Sequence, residues 1–375
     1  MSPTSIMAAR GPRLAAAVVF VAACALGGAA LVNGLGPMVA AFPAETLLAA
    51  VVLAAVSAVG VAVLLRLRPI RPPDGASAAA AVVWGGVAAT GCALIANDAL
   101  NAVWSKSGGT AFAAQWGAAL TAPVNEEAVK TAGVVLIAVA LPSALRGPVD
   151  GLILGALTGL GFQTVENVIY ALNSVVAGGA TDGALSVAQS LVLRVGVTGL
   201  GTHWAMTAIA GAGVGLLAAA QWHPNARRAW AATLAVASAV ALHGFFDAPV
   251  LNGTVAGLAV KTSLPFVCVV AVYVAARRSY VRRVRGALVV EGERVGLPRA
   301  EALALSSRRG RRAALRQVPA SDRPAAAERQ RGTLGAAELR VAVGRPDEEE
   351  GQGAGEDGAE SRGDGPSPSS GAAPE

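Results

Sequence analysis

Polar and apolar positions along this chain are sorted into long blocks and not into a short period. Apolar stretches run over residues 14–32, 45–65, 77–96 and 123–141, then 151–172, 203–220, 229–249 and 255–276. Each approaches the roughly 20 residues that a helix needs to cross a hydrocarbon core about 30 Å thick. The pattern predicts an all-α, polytopic transmembrane bundle of about eight spans. The first run follows Arg10 and Arg13 as a signal peptide would, but it is too long and lacks a polar cleavage region, so an uncleaved span is expected. Residues 184–198 are broken by Arg194 and read as a short or re-entrant helix, tolerated only where protein or water surrounds it.

Arginine placement orients the bundle. Arg10 and Arg13, then Arg66, Arg68 and Arg71, then Arg146, then Arg227 and Arg228 fall in alternate loops, and a further arginine cluster follows residue 276. With positive residues inside, eight spans put both termini in the cytoplasm of a cell-membrane protein, whereas a ninth crossing at 184–198 would invert every later loop. Residues 1–13 are then a cytoplasmic N-terminus and 14–276 the transmembrane domain. Residues 277–375 form a basic, then acidic tail whose composition predicts disorder.

Composition adds exclusions. The chain is 54% hydrophobic and 14% charged, a membrane-protein profile. Its net charge of +6 lies in loops and tail, which makes it an orientation signal and not a nucleic-acid footprint. Cys24, Cys92 and Cys268 are dispersed in apolar runs, without the spacing of a disulfide framework or a cysteine zinc site. His223 sits in a loop beside Pro224.

Ionisable residues inside spans are costly and mark candidate sites. Four groups qualify. In Asn125-Glu126-Glu127-Ala128-Val129-Lys130, the lysine is within helical reach of either glutamate; one carboxylate can neutralise it and leave the other for chemistry. Glu166 follows Phe162 in a span whose Gly151, Gly155 and Gly159 allow close helix approach, with no cation in helical reach. His203 heads a span. His243 and Asp247 lie one turn apart, so Asp247 can orient the imidazole as in metal-bound histidines. Alternating helix directions put all four groups at similar depth, toward the extracytoplasmic side, which favours one shared site. Two chemistries suit it: water activated by zinc on histidine and carboxylate ligands, or water activated by glutamate alone, with histidine stabilising the oxyanion. A proton- or ion-coupled transporter is the alternative, although no inverted repeat or paired broken helices are evident.

The motifs Glu126-Glu127-x-x-Lys130, Phe162-x-x-x-Glu166-Asn167, His203-Trp204 and His243-x-x-x-Asp247 resemble, in order, those of the PrsW family of intramembrane proteases. That group is remotely related to the CAAX prenyl-protease (Abi) superfamily. The resemblance covers about residues 111–276. It implies an endopeptidase acting on a single-pass membrane protein, of anti-sigma-factor type in one family member, in the lipid bilayer. On that reading Glu126 or Glu127 activates water, Lys130 tunes the pair and Asp247 supports His243. Glu166, His203 and His243 then bind zinc or stabilise the oxyanion.

Overall fold

The computed structural model describes residues 3–70, 74–220 and 222–343, with side chains from Arg10 to Val341. Arg71 and the acidic stretch from Asp347 lie outside the described residues. The described residues are helical without a strand. In order they form α1 (Pro3–Ala41), α2 (Pro43–Leu67), α3 (Gly75–Val83), α4 (Thr90–Ser107), α5 (Thr110–Ala140), α6 (Pro148–Ala177) and α7 (Gly183–Leu191). Then come α8 (His203–Ala219), α9 (Ala226–Asp247), α10 (Val255–Arg294), α11 (Arg299–Ala304), α12 (Arg308–Arg316) and α13 (Arg323–Val343). A π-helical turn, Trp84–Ala89, joins α3 to α4 into one long helix.

Among the described residues, seven helices are long and apolar enough to cross a membrane. The expected fourth crossing, α5, is 31 residues long but stands outside that set; Glu126, Glu127 and Lys130 interrupt its apolar character. Residues Gly183–Val197 form an apolar helix too short to be a candidate span, about 22 Å at 1.5 Å per residue. The 184–198 segment is thus a short helix, as its interrupted apolar run predicts.

Helices α6 and α8 are the most enclosed of the candidate spans; α6 packs on α8 along one seam and on the π-helical turn along another. Its glycines make this possible. A Cβ at Gly151, Gly155 or Gly159 would stand 2.1–2.4 Å from the carbonyl oxygens of Gly211, Thr207 and His203. The seam thus brings the α8 backbone against α6, as small residues do in membrane helix pairs. Polar caps set the flanking helices: Asp182 accepts from the Leu185 amide and Asn225 from the Arg228 amide.

The expected disorder from residue 277 needs correction. Helix α10 continues to Arg294, and three further helices follow to Val343. Composition alone hid an apolar spacing: Val284, Ala287 and Leu288 bury one face of α10, against which Leu305, Leu334 and Ala337 pack. A buried ion cluster anchors α13. Arg68 pairs with Asp150 of α6 and, at 2.9 Å, with Glu338 of α13; Arg146 reaches both acids at 3.3 Å, and the Tyr280 hydroxyl donates to Glu338.

Candidate active site

All the ionisable side chains singled out inside spans converge on one buried cluster. It borders a cavity of about 450 Å³. Helix α5 supplies Glu126, Glu127 and Lys130, all buried. The Lys130 ammonium uses its three N–H groups on three acceptors: Glu127 Oε1 at 2.8 Å, Glu126 Oε2 at 3.2 Å and His203 Nδ1 at 3.0 Å. It also lies 3.9 Å above the Phe162 ring. The two glutamates are not equivalent. Glu127 is enclosed and accepts from the Thr207 hydroxyl at 2.9 Å, whereas Glu126 lines the cavity and accepts from Asn97 at 3.0 Å.

Each imidazole is held from its far side by a carboxylate. Because a carboxylate can only accept, His203 Nε2–H donates to Glu166 at 2.8 Å and His243 Nδ1–H donates to Glu127 at 3.2 Å. The opposite nitrogens, His203 Nδ1 and His243 Nε2, then carry lone pairs, each 3.7 Å from Glu126 Oε2. The rings meet edge to face with centroids 4.9 Å apart. Local sequence explains the first position. Gly159 lets the His203 backbone sit against α6, whereas at Gly244 α9 passes Ala119 and Pro123 of α5 at distances that a Cβ would also allow.

Asp247 is the last residue of α9 and lies 3.4 Å from His243 Nε2, so it stands beside the lone pair and not behind the ring. Glu166 has a cation after all. Arg194, from a second π-helical turn, Val192–Val197, reaches it at 2.5 Å, bonds Asn167 at 2.7 Å and stacks over Tyr170. No cation lies within helical reach of Glu166 on its own helix, as expected; Arg194 comes from a separate helical turn. Sequence reasoning treated Arg194 as an interruption, although a lone charge in an apolar helix was itself the signal. Asn97 and Thr207 carried no signal, since single polar residues in spans are common.

The donor set suits a metal ion. Glu126, His203 and His243 each offer a ligand atom within 4.8 Å of the others. Two imidazoles and a carboxylate are a zinc-type set, and bonds of about 2.0–2.1 Å in a tetrahedron put donors roughly 3.3 Å apart, near the 3.7 Å seen here. Charge points the same way. Four carboxylates (Glu126, Glu127, Glu166, Asp247) against two cations (Lys130, Arg194) leave two negative charges when the imidazoles are neutral. His243 Nε2 also directs its lone pair at two carboxylates, which is repulsive without a cation between them.

A family model described as PrsW family intramembrane metalloprotease matches residues 73–276, which takes in α3 and α4 as well as the motif-bearing helices. No curated protein and no solved structure matched the chain. With more than half of its length covered by that match, the chain belongs to the PrsW family of intramembrane proteases.

Proposed function

We propose that this protein is a metal-dependent endopeptidase that cleaves single-pass membrane proteins, with Glu126, His203 and His243 holding a divalent ion, zinc foremost. The observation that carries the reading is the convergence of three donors on one cavity wall. Each imidazole is oriented by a carboxylate behind it, and two negative charges remain uncompensated. Glu166, a ligand candidate from sequence, is better suited to orienting His203, since Arg194 and the imidazole already engage it.

A zinc ion would supply a Lewis acid that lowers the pKa of water and polarises a peptide carbonyl. The protein's own groups do the rest. Asp247 lines the cavity and accepts the proton released by the attacking water. Glu127 and Glu166 hold the imidazoles in the tautomers that face Glu126. Asn97 fixes the second oxygen of Glu126, and Lys130 gives up its bond to His203 Nδ1 while keeping both glutamates. The arginine pattern supports a cell-membrane protein with cytoplasmic termini and the site toward the extracytoplasmic side.

One specific contact favours a second reading without metal. Lys130 Nζ already bonds His203 Nδ1 and Glu126, so the ammonium can serve as the cation while Glu126 activates water. Metal analysis of purified protein beside His203→Ala, paired with cleavage of a membrane-peptide library, decides between them. Stoichiometric zinc that disappears in the variant together with cleavage is expected. Cleavage by a metal-free preparation overturns the metal assignment, and full activity in both Glu126→Ala and His243→Ala overturns the site. Liposome transport without proteolysis would revive the transporter alternative.

A further inference from the structure

The cavity beside the candidate site adjoins another. A second cavity, about 480 Å³, lies between α1, α4 and α6 and shares Leu94, Asp98, Ile169 and Asn173 with the first. Its origin is a helix crossing. At Gly27 and Gly91, α1 and α4 run nearly backbone to backbone, and a Cβ on Gly91 would lie 2.0 Å from the Gly27 carbonyl oxygen. Past that crossing, α1 lines a groove, and a Cβ on Gly34 would meet nothing within 4 Å.

Asp98 stands where the two cavities join. It is the one charged residue among those lining the groove. Its exposed carboxylate has no hydrogen bond or ion pair among the described residues. Its neighbour Asn97 is the residue that bonds Glu126. An unpaired carboxylate at the neck of a passage into a catalytic site attracts a cation in whatever passes. The groove wall is otherwise apolar, apart from Asn33 and Asn173, whose amides can satisfy backbone groups freed as a helix unwinds.

On the reading that the protein cleaves membrane proteins, we infer that the substrate's membrane-spanning segment docks in the α1–α4–α6 groove and that Asp98 selects substrates with a lysine or arginine beside the scissile bond. A bond inside a span must reach the site from between helices, and the groove between α1, α4 and α6 shares four lining residues with the site's cavity.

The test uses full-length protein in nanodiscs and single-pass peptides carrying Lys, Gln or Glu next to the cleavage point. Gly34→Trp fills the groove, while Gly36→Trp, also facing open space but outside the groove lining, is the matched control. A bulky side chain there excludes a helix packed along α1, so Gly34→Trp should lower kcat/KM for the spanning peptide roughly tenfold. It should spare a short soluble peptide of the same cleavage sequence, and Gly36→Trp should change neither. The Lys-over-Glu preference, about fivefold for one exposed pair, should vanish in Asp98→Asn and invert in Asp98→Lys. Unchanged cleavage in Gly34→Trp, or an unchanged preference in Asp98→Lys, overturns the inference while leaving the protease reading intact. A benzophenone side chain at position 33 gives an arm independent of cleavage. Crosslinks to the peptide support docking, and crosslinks to lipid alone overturn it, even if wild-type protein proves not to be a protease.

Discussion

Helix α6 carries a buried charge cluster in each half, and the two are built on opposite rules. Near its start, Asp150 pairs with Arg68 and Arg146, and both arginines also reach Glu338: among the ion pairs of the described residues, two cations and two acids, with only about 10 Å³ of free space. About 24 Å further along, at 1.5 Å per residue, Glu166 belongs to a cluster with four acids, two cations and a cavity of about 450 Å³. Balanced charge without room fixes helices to one another. Unbalanced charge beside room is a place where something positive, and water, can enter. Burial alone does not separate the two, since Asp150 and Glu127 are equally inaccessible.

The largest expected break in this contrast is at Glu126. Glu126→Ala should lower cleavage on the order of 10²–10⁴-fold without unfolding the protein, read as kcat/KM on a membrane peptide beside the thermal midpoint. Glu127→Gln keeps a hydrogen-bond acceptor behind His243 but removes its charge. A loss of about 10–100-fold in metal affinity or activity is expected, as for other carboxylates behind metal-bound imidazoles. Retained metal with retained rate would show that Glu127 is structural and would move it into the first kind of cluster.

At the other end the effect should be on stability and not on rate. Glu338→Ala removes an acid that Arg68 and Arg146 share. Removing one partner of a buried pair costs on the order of 3 kcal/mol, which a denaturation series in detergent measures, with the folded fraction keeping its specific activity. Acid should act through the same residue. Burial alone would raise the Glu338 carboxyl, but the Tyr280 hydroxyl and the Arg68 and Arg146 guanidiniums more than offset this and hold it below the usual range. Its contribution is therefore complete above the unfolded value of about 4.3 and is lost as pH falls through the lower, folded value. Glu338→Gln should flatten that acid-side slope. The smallest effect is the sharpest test. Replacing Arg68, Arg146, Asp150 and Glu338 together with Met and Leu should change stability by no more than about 1 kcal/mol, or raise it, and leave cleavage intact. A fully apolar replacement at the active site would abolish cleavage.

Much of this was legible from local pattern. Length and hydropathy placed the spans, and the i, i+3 and i, i+4 spacing of Glu126, Glu127 and Lys130 foretold the ion pairs that the structure contains. Gly151, Gly155 and Gly159 announced a close helix contact. What escaped was non-local. Arg194 finds Glu166 across 28 residues and a separate helix, and Glu338 finds Arg68 across 270; neither separation leaves a periodic trace. The different duties of the two imidazole faces were hidden for the same reason. They depend on which nitrogen meets which carboxylate, and that is set by helix rotation in the assembled bundle. The helices beyond residue 277 were missed because an Arg- and Ala-rich stretch has the composition of a tail, while its few leucines and valines keep a helical spacing.

The three acceptors of Lys130 bear on how such a protein is made. Helix α5 carries three charges near its middle, each costing about 2.5–3.5 kcal/mol if left facing lipid. Pairing within α5 relieves part of that. Asn97 of α4 gives a little more, and the rest comes from His203, Thr207 and His243, which are synthesised well after α5. During biogenesis α5 is thus a poor span on its own, and it settles into the bilayer only once α8 and α9 arrive beside it. The residues that make the site reactive also make its completion the step that commits the bundle to the membrane.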